Sequence, residues 1–142
     1  GNVKEIEAAI GVAQNAGAKR AILLEVSGAF HSSLMQGAAV KLATELEKIQ
    51  IRPLAIPIIS NVTARESTTA QEIKENLIRQ VAGSVRWDES MRLMLSKGIL
   101  RFIEFGPGKV LKGLMRRIDS NAQVMNIEKK EDISSLEETS NQ

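Results

Sequence analysis

The order of patterns near the C-terminal end restricts the fold most. A strand-length apolar run at 100–105 meets the turn Gly106-Pro-Gly-Lys109, then a helical repeat of Val110, Leu111, Leu114 and Ile118, then a second strand-length run at Gln123–Ile127. Strand, crossover helix and strand in that order bring both strands to point the same way. The rest of the chain alternates similarly, which predicts an α/β architecture with a mainly parallel sheet.

Val3, Ile6, Ala9, Ile10 and Ala13 fall on one face of a helix over Val3–Asn15, which Gly17 stops. The apolar run 20–26 has strand length and leads into the turn-like Ser27-Gly28. Ser32 or Ser33 then caps a helix carrying Leu34, Ala38, Leu42, Leu46 and Ile49, and Arg52-Pro53 breaks it. Pro57 places the run at 56–59 on a strand edge or entry. Thr68 and Thr69 precede a helical pattern containing Ile73, Leu77 and Ile78, and a further helix over 87–97 buries Trp87, Met91, Met94 and Leu95 before Gly98. The segment 128–142 is charged, with only Ile133 and Leu136 to bury, so a frayed or partly helical tail is expected.

Composition removes several function classes. The 142 residues suffice for a domain with its own core. With no cysteine and a single histidine, neither disulfides nor a multi-histidine metal centre can form. A formal charge of +2 gives no broad field for a polyanion, and one Trp, three Phe and no Tyr offer few platforms for unpaired bases, so nucleic acid is not expected as a partner. Apolar stretches such as 54–59 are far too short to cross a bilayer, so no membrane partner is expected either. Residues 1–7 lack the basic flank and apolar block of a secretory signal, which predicts a cytoplasmic protein.

Six segments carry a resemblance in sequence order: Ala16-Gly-Ala-Lys-Arg20, Val26-Ser-Gly-Ala-Phe-His-Ser-Ser-Leu-Met35, Ile58-Ile-Ser-Asn-Val62, Leu77-Ile-Arg-Gln80, Val85-Arg-Trp87 and Phe105-Gly-Pro-Gly-Lys-Val-Leu111. Together they resemble the C-terminal portion of the malonyl-CoA:acyl carrier protein transacylase family of acyltransferases. The resemblance runs to about Ile118. It implies that 1–26 closes a small ferredoxin-like subdomain, that 27–127 is the C-terminal part of a larger hydrolase-like α/β subdomain, and that 128–142 is a polar tail.

The implied chemistry is acyl transfer in two steps, in which a serine takes malonyl from coenzyme A and passes it to the phosphopantetheine thiol of acyl carrier protein. No cofactor is implied. His31 matches the family's histidine, the base that removes the serine proton and returns a proton to the leaving thiol. Gln80 matches the position whose backbone carbonyl orients that ring, and Asn61 matches a loop position beside the site. Phe30 matches an aromatic that goes with malonyl over methylmalonyl, although excluding one methyl yields only roughly 1–3 kcal/mol of discrimination. The family's Gly-x-Ser-x-Gly elbow, its Gly-Gln-Gly loop and its carboxylate-pairing arginine have no match here. The resemblance therefore implies a partner, the missing N-terminal half, and a chain inactive alone. Gly37 also departs from the family, in which a proline follows the methionine segment, and loosens the helix start.

Other readings stand beside this one. The chain is alternatively a non-catalytic module that binds acyl carrier protein or a coenzyme A ester. Gly106 to Lys109 invites comparison with a phosphate loop, but Val110 stands where a Walker loop needs Ser or Thr, and a structural turn is favoured. Arg79, Arg86, Arg116 and Arg117 are read as solvated surface, although an acidic carrier protein is an alternative partner for them.

Overall fold

The computed structural model describes residues 1–23 and 26–134, and the chain divides into two compact units, Gly1–Arg86 and Trp87–Gln142. The architecture is mixed α/β with one small parallel and one small antiparallel sheet.

In the first unit, helix α1 spans Val3–Asn15. It ends as the sequence predicts: Gly17, at φ 89°, lets the Ala18 amide donate to the Ala13 carbonyl and its own amide to the Gln14 carbonyl. The apolar face expected on this helix is only partly covered, however: no residue of α1 is buried, Ile6, Ile10 and Ala13 are half-buried, and Val3 is 68% exposed. Periodicity fixes which residues share a face, and burial requires a second surface to cover it.

The strand expected over 20–26 is a second correction. Residues 20–23 and 26 have no regular structure, and 24–25 lie outside the described residues. Strand propensity becomes a strand only where a neighbouring edge accepts the backbone hydrogen bonds.

A 3-10 turn, Ser33–Met35, leads into helix α2, Gln36–Glu47, which buries Ala39 and Leu46. Leu34 and Ile49, placed on its buried face from the sequence, are 56% and 50% exposed. Neither Ser32 nor Ser33 caps this segment through its side chain; the Ser32 hydroxyl donates instead to the Ala29 carbonyl at 2.7 Å, closing the preceding turn.

Strand β1, Ile58–Ile59, pairs antiparallel with β2, Glu66–Ser67, and a tight loop joins them. Helix α3, Ala70–Ala82, follows and packs on α2. Its start is well determined. The Thr69 hydroxyl accepts from the Glu72 amide, and the Glu72 carboxylate accepts from the Thr68 and Thr69 amides at 2.9 and 3.2 Å. Those backbone donors hold the Glu72 carboxyl below its ordinary value of 4.5.

The second unit begins with helix α4, Trp87–Ser96. Strand β3, Arg101–Phe105, follows, then helix α5, Val110–Ile118, and strand β4, Gln123–Ile127. The two strands pair parallel in full register, from Arg101 with Gln123 to Phe105 with Ile127. This is the strand-helix-strand unit predicted from the sequence. Among the described residues β1 and β2 form a separate antiparallel sheet, which the sequence reading did not anticipate. Met91 and Met115 are buried at 6% and 2% exposure, which bears out the core reading of Met91. Of the tail, Lys130–Ile133 forms a 3-10 turn, and 135–142 lies outside the described residues.

Candidate active site

A helix leaves its last four carbonyls without partners inside the helix. At the end of α3, His31 supplies partners for two of them across 49 residues of sequence. Its ring Nδ1 lies 2.9 Å from the Gln80 carbonyl oxygen, and its backbone amide donates to the Val81 carbonyl at 3.1 Å. The same Nδ1 lies 3.1 Å from the carbonyl of Gly83, just past the helix end.

These distances fix the tautomer. A carbonyl only accepts, so Nδ1 carries the hydrogen, and in the neutral ring Nε2 keeps its lone pair. The residue is exposed, with Nε2 the one ring nitrogen not committed to these carbonyls. The arrangement suits a proton acceptor whose orientation is set from behind.

His31 also has a backbone φ of 60°. The left-handed region is sparsely used by residues with a side chain and costs on the order of 1–3 kcal/mol, although histidine occurs there more than most. The bonds to Gln80, Val81 and Gly83 offset that cost.

Asn61 stands in the loop between β1 and β2, where its carbonyl accepts from the Arg86 amide at 2.8 Å. The Arg86 guanidinium donates to the Thr63 carbonyl at 3.2 Å, so one arginine binds the loop on both sides of Val62. Asn61 and Gln80 line a common cavity of about 270 Å³ with Ser60, Ser67, Asn76 and Ile73 among its walls. Asn76 donates to the Ser67 hydroxyl there at 2.9 Å, and among the described residues Ser60 Oγ is buried without a hydrogen-bond partner. Gln80 thus serves His31 through its main-chain carbonyl and also lines the cavity shared with Asn61. Phe30 is 58% exposed and does not line this cavity; its ring lies against Gly28, where an added Cβ would stand 3.3 Å from Cε2.

Sequence reasoning missed Gly83. Its contribution is a carbonyl, which no side-chain motif announces. It also missed Glu104 in the second unit, a buried carboxylate whose oxygens accept from the Leu111 amide at 2.9 Å and the Lys112 amide at 3.0 Å. A readable signal existed: an acidic residue at an inward position of an apolar strand, one short turn ahead of a helix. Glu104 also decides the reading of the Gly106 to Lys109 turn. The amides that a phosphate would need at the start of α5 already bind this carboxylate, so the turn is structural.

Among the described residues, no group of three or more His, Asp or Glu side chains is arranged to hold a metal ion. No described helix is long and apolar enough to cross a membrane.

No protein-family model matches the chain. It is 44% identical over 133 residues to malonyl CoA-acyl carrier protein transacylase of Bacillus subtilis, a match covering 94% of this chain and 42% of that protein. Among solved structures, acyl-carrier-protein-S-malonyltransferase from Bartonella henselae superposes with a TM-score of 0.89 at 37% identity, over 98% of this chain and 44% of that one. A malonyl-transacylase solved in complex with its type II PKS acyl-carrier protein gives a TM-score of 0.89 at 35% identity, over 97% and 45%. The chain therefore spans less than half the length of the relatives it matches.

Proposed function

Because the chain belongs to the malonyl CoA-acyl carrier protein transacylase family, of which it matches the C-terminal part, we propose that it carries the base half of a serine-histidine acyl-transfer site. The enzyme is an [acyl-carrier-protein] S-malonyltransferase of fatty acid or polyketide biosynthesis. Its substrates are malonyl-CoA and acyl carrier protein, and its nucleophilic serine belongs to polypeptide outside this sequence. Residues 1–26 close the small ferredoxin-like subdomain and 27–127 belong to the larger hydrolase-like one.

One observation carries this reading: the single imidazole is held through Nδ1 by the Gln80 carbonyl, which leaves Nε2 uncommitted to that contact. In the first half-reaction Nε2 takes the serine proton as the serine oxygen attacks the malonyl thioester carbon. The imidazolium then returns that proton to the departing coenzyme A sulfur. In the second half-reaction Nε2 takes the proton of the phosphopantetheine thiol, whose sulfur attacks the malonyl ester, and the serine oxygen recovers a proton as it leaves. Gln80 acts through its main chain, Asn61 supports the wall of the adjoining cavity, and Phe30 limits branching at the acyl α-carbon.

Intact-mass analysis tests the division of labour. The chain incubated with malonyl-CoA gains no stable malonyl adduct, and addition of the N-terminal half restores serine acylation. A malonylated serine on the isolated chain would overturn the proposal.

A second reading is favoured by the similar transacylase solved with its carrier protein: the chain binds acyl carrier protein without catalysis. Saturable binding of carrier protein by a monomeric, cooperatively unfolding chain supports that module. Failure of the chain to bind until the N-terminal half is present supports the severed enzyme.

A further inference from the structure

Gly83 occupies a place where a side chain does not fit. A Cβ built there would stand 2.7 Å from Val62 Cγ2 and 2.8 Å from the Arg79 carbonyl oxygen. Its φ of −93° is open to any residue, so the demand is for space and not for unusual backbone. Val62 could turn its methyl aside. The Arg79 carbonyl cannot, because it already accepts from the Gly83 amide at 2.9 Å and belongs to the last turn of α3. A side chain at 83 therefore moves the Gly83 backbone, and with it the carbonyl that lies 3.1 Å from the imidazole.

A ring held by the Gln80 carbonyl alone keeps its tautomer but swings about that one contact. A second acceptor, three residues further along the chain and beyond the helix end, closes the swing. Val62 connects this clamp to the β1–β2 loop, since it follows Asn61, and Arg86 ties that loop down three residues after Gly83. The packing of loop against helix end thus sets where the second acceptor stands.

We propose that Gly83 is a positioning residue for His31: its carbonyl is the second arm of a forked acceptor that fixes the direction of Nε2, and a Cβ at position 83 displaces that arm. The assignment rests on the proposed role of His31 as base, but its physical content is testable without turnover.

The chain has one histidine, so every imidazole signal in a 15N-labelled sample belongs to His31. Long-range 15N–1H correlation of the wild-type chain with the ring neutral is expected to show a single tautomer with hydrogen on Nδ1. Gly83→Ala is expected to lose that single tautomer while circular dichroism stays that of the folded chain. Gly37→Ala, where an added Cβ meets nothing within 4 Å, is expected to keep the wild-type ring spectrum. Should Gly83→Ala fail to fold, Val62→Ala with Gly83→Ala removes one clash and keeps the other, and the altered ring spectrum is expected in that variant.

A folded single or double variant with the wild-type ring spectrum would overturn the proposal, as would a wild-type ring protonated on Nε2. In the enzyme completed with its N-terminal half, Gly83→Ala lowers kcat by about 10²-fold, the scale of a misplacement near 1 Å, with KM for malonyl-CoA unchanged. An altered ring spectrum in Gly83→Ala with full kcat would leave the clamp standing and count against the base role of His31.

Discussion

Two helix ends in this chain are closed by side chains from distant or adjoining elements, and they use that device to different ends. At the C-terminus of α3, the ring and amide of His31 meet the Gln80, Val81 and Gly83 carbonyls. At the N-terminus of α5, the Glu104 carboxylate takes the Leu111 and Lys112 amides. Glu104 is buried, and each of its oxygens accepts a helix amide. His31 is exposed and spends one of two ring nitrogens. The lesson is that capping chemistry alone does not distinguish a structural group from a reactive one; unspent bonding capacity facing solvent does.

The sharpest way to break this comparison is to remove the group assigned reactivity. In the enzyme completed with its N-terminal half, His31→Ala is expected to lower kcat/KM for malonyl transfer by roughly 10²–10⁴-fold, the range for loss of a general base. Activity within threefold of wild type would place His31 with Glu104 as a purely structural cap.

Glu104 supplies the converse experiment. Glu104→Ala strands two amides at the start of α5 and is expected to cost roughly 3 kcal/mol, read from the urea midpoint at constant slope. Glu104→Gln keeps one acceptor and recovers about half of that. Both should leave the His31 ring spectrum unchanged, and a changed spectrum would mean that the two ends are coupled.

Helix α3 offers an internal reference, because its start is capped by its own neighbours. Thr69→Ala removes the hydroxyl that accepts from the Glu72 amide, and a loss of about 1 kcal/mol is expected in the same assay. A loss as large as that of Glu104→Ala would mean that burial adds nothing to a cap.

The smallest effect is the pH dependence of that cap. The Thr68 and Thr69 amides hold the Glu72 carboxyl below 4.5 in the folded chain. A depressed folded value means that the contribution is complete above 4.5 and is lost as pH falls through the lower folded value. Thermal melts of Glu72→Gln should therefore differ from wild type at neutral pH and converge on it in acid. Parallel curves throughout would show that the carboxylate charge has no part in the cap.

Much of the fold was legible because period and punctuation agreed. The bounds of α1 follow from apolar spacing and Gly17, those of α5 and β4 from apolar spacing between polar segments, and the strand-helix-strand order of the second unit follows from their succession. The described part of the run, 20–23 and 26, misled because a lone sequence carries propensity without saying whether an edge stands beside it. Ser32 misled because its hydroxyl donates to the Ala29 carbonyl and makes no cap bond to a helix amide. For the site, His31 and Gln80 were legible only through their motifs, and the structure brings them together through atoms that differ in visibility. An imidazole can be seen in a sequence, whereas the carbonyls of Gln80, Val81 and Gly83 are common to every residue type.

The left-handed backbone at His31 has a consequence for anyone engineering this chain. Glycine, asparagine and aspartate all sit in that conformation with less effort than most residues, and glycine does so with none. Each of the three would ease the backbone at position 31 and give up the ring's bonds to the Gln80 and Gly83 carbonyls. A library sorted only for expression or heat resistance would weigh those two terms against each other, with no regard for what the imidazole does in turnover.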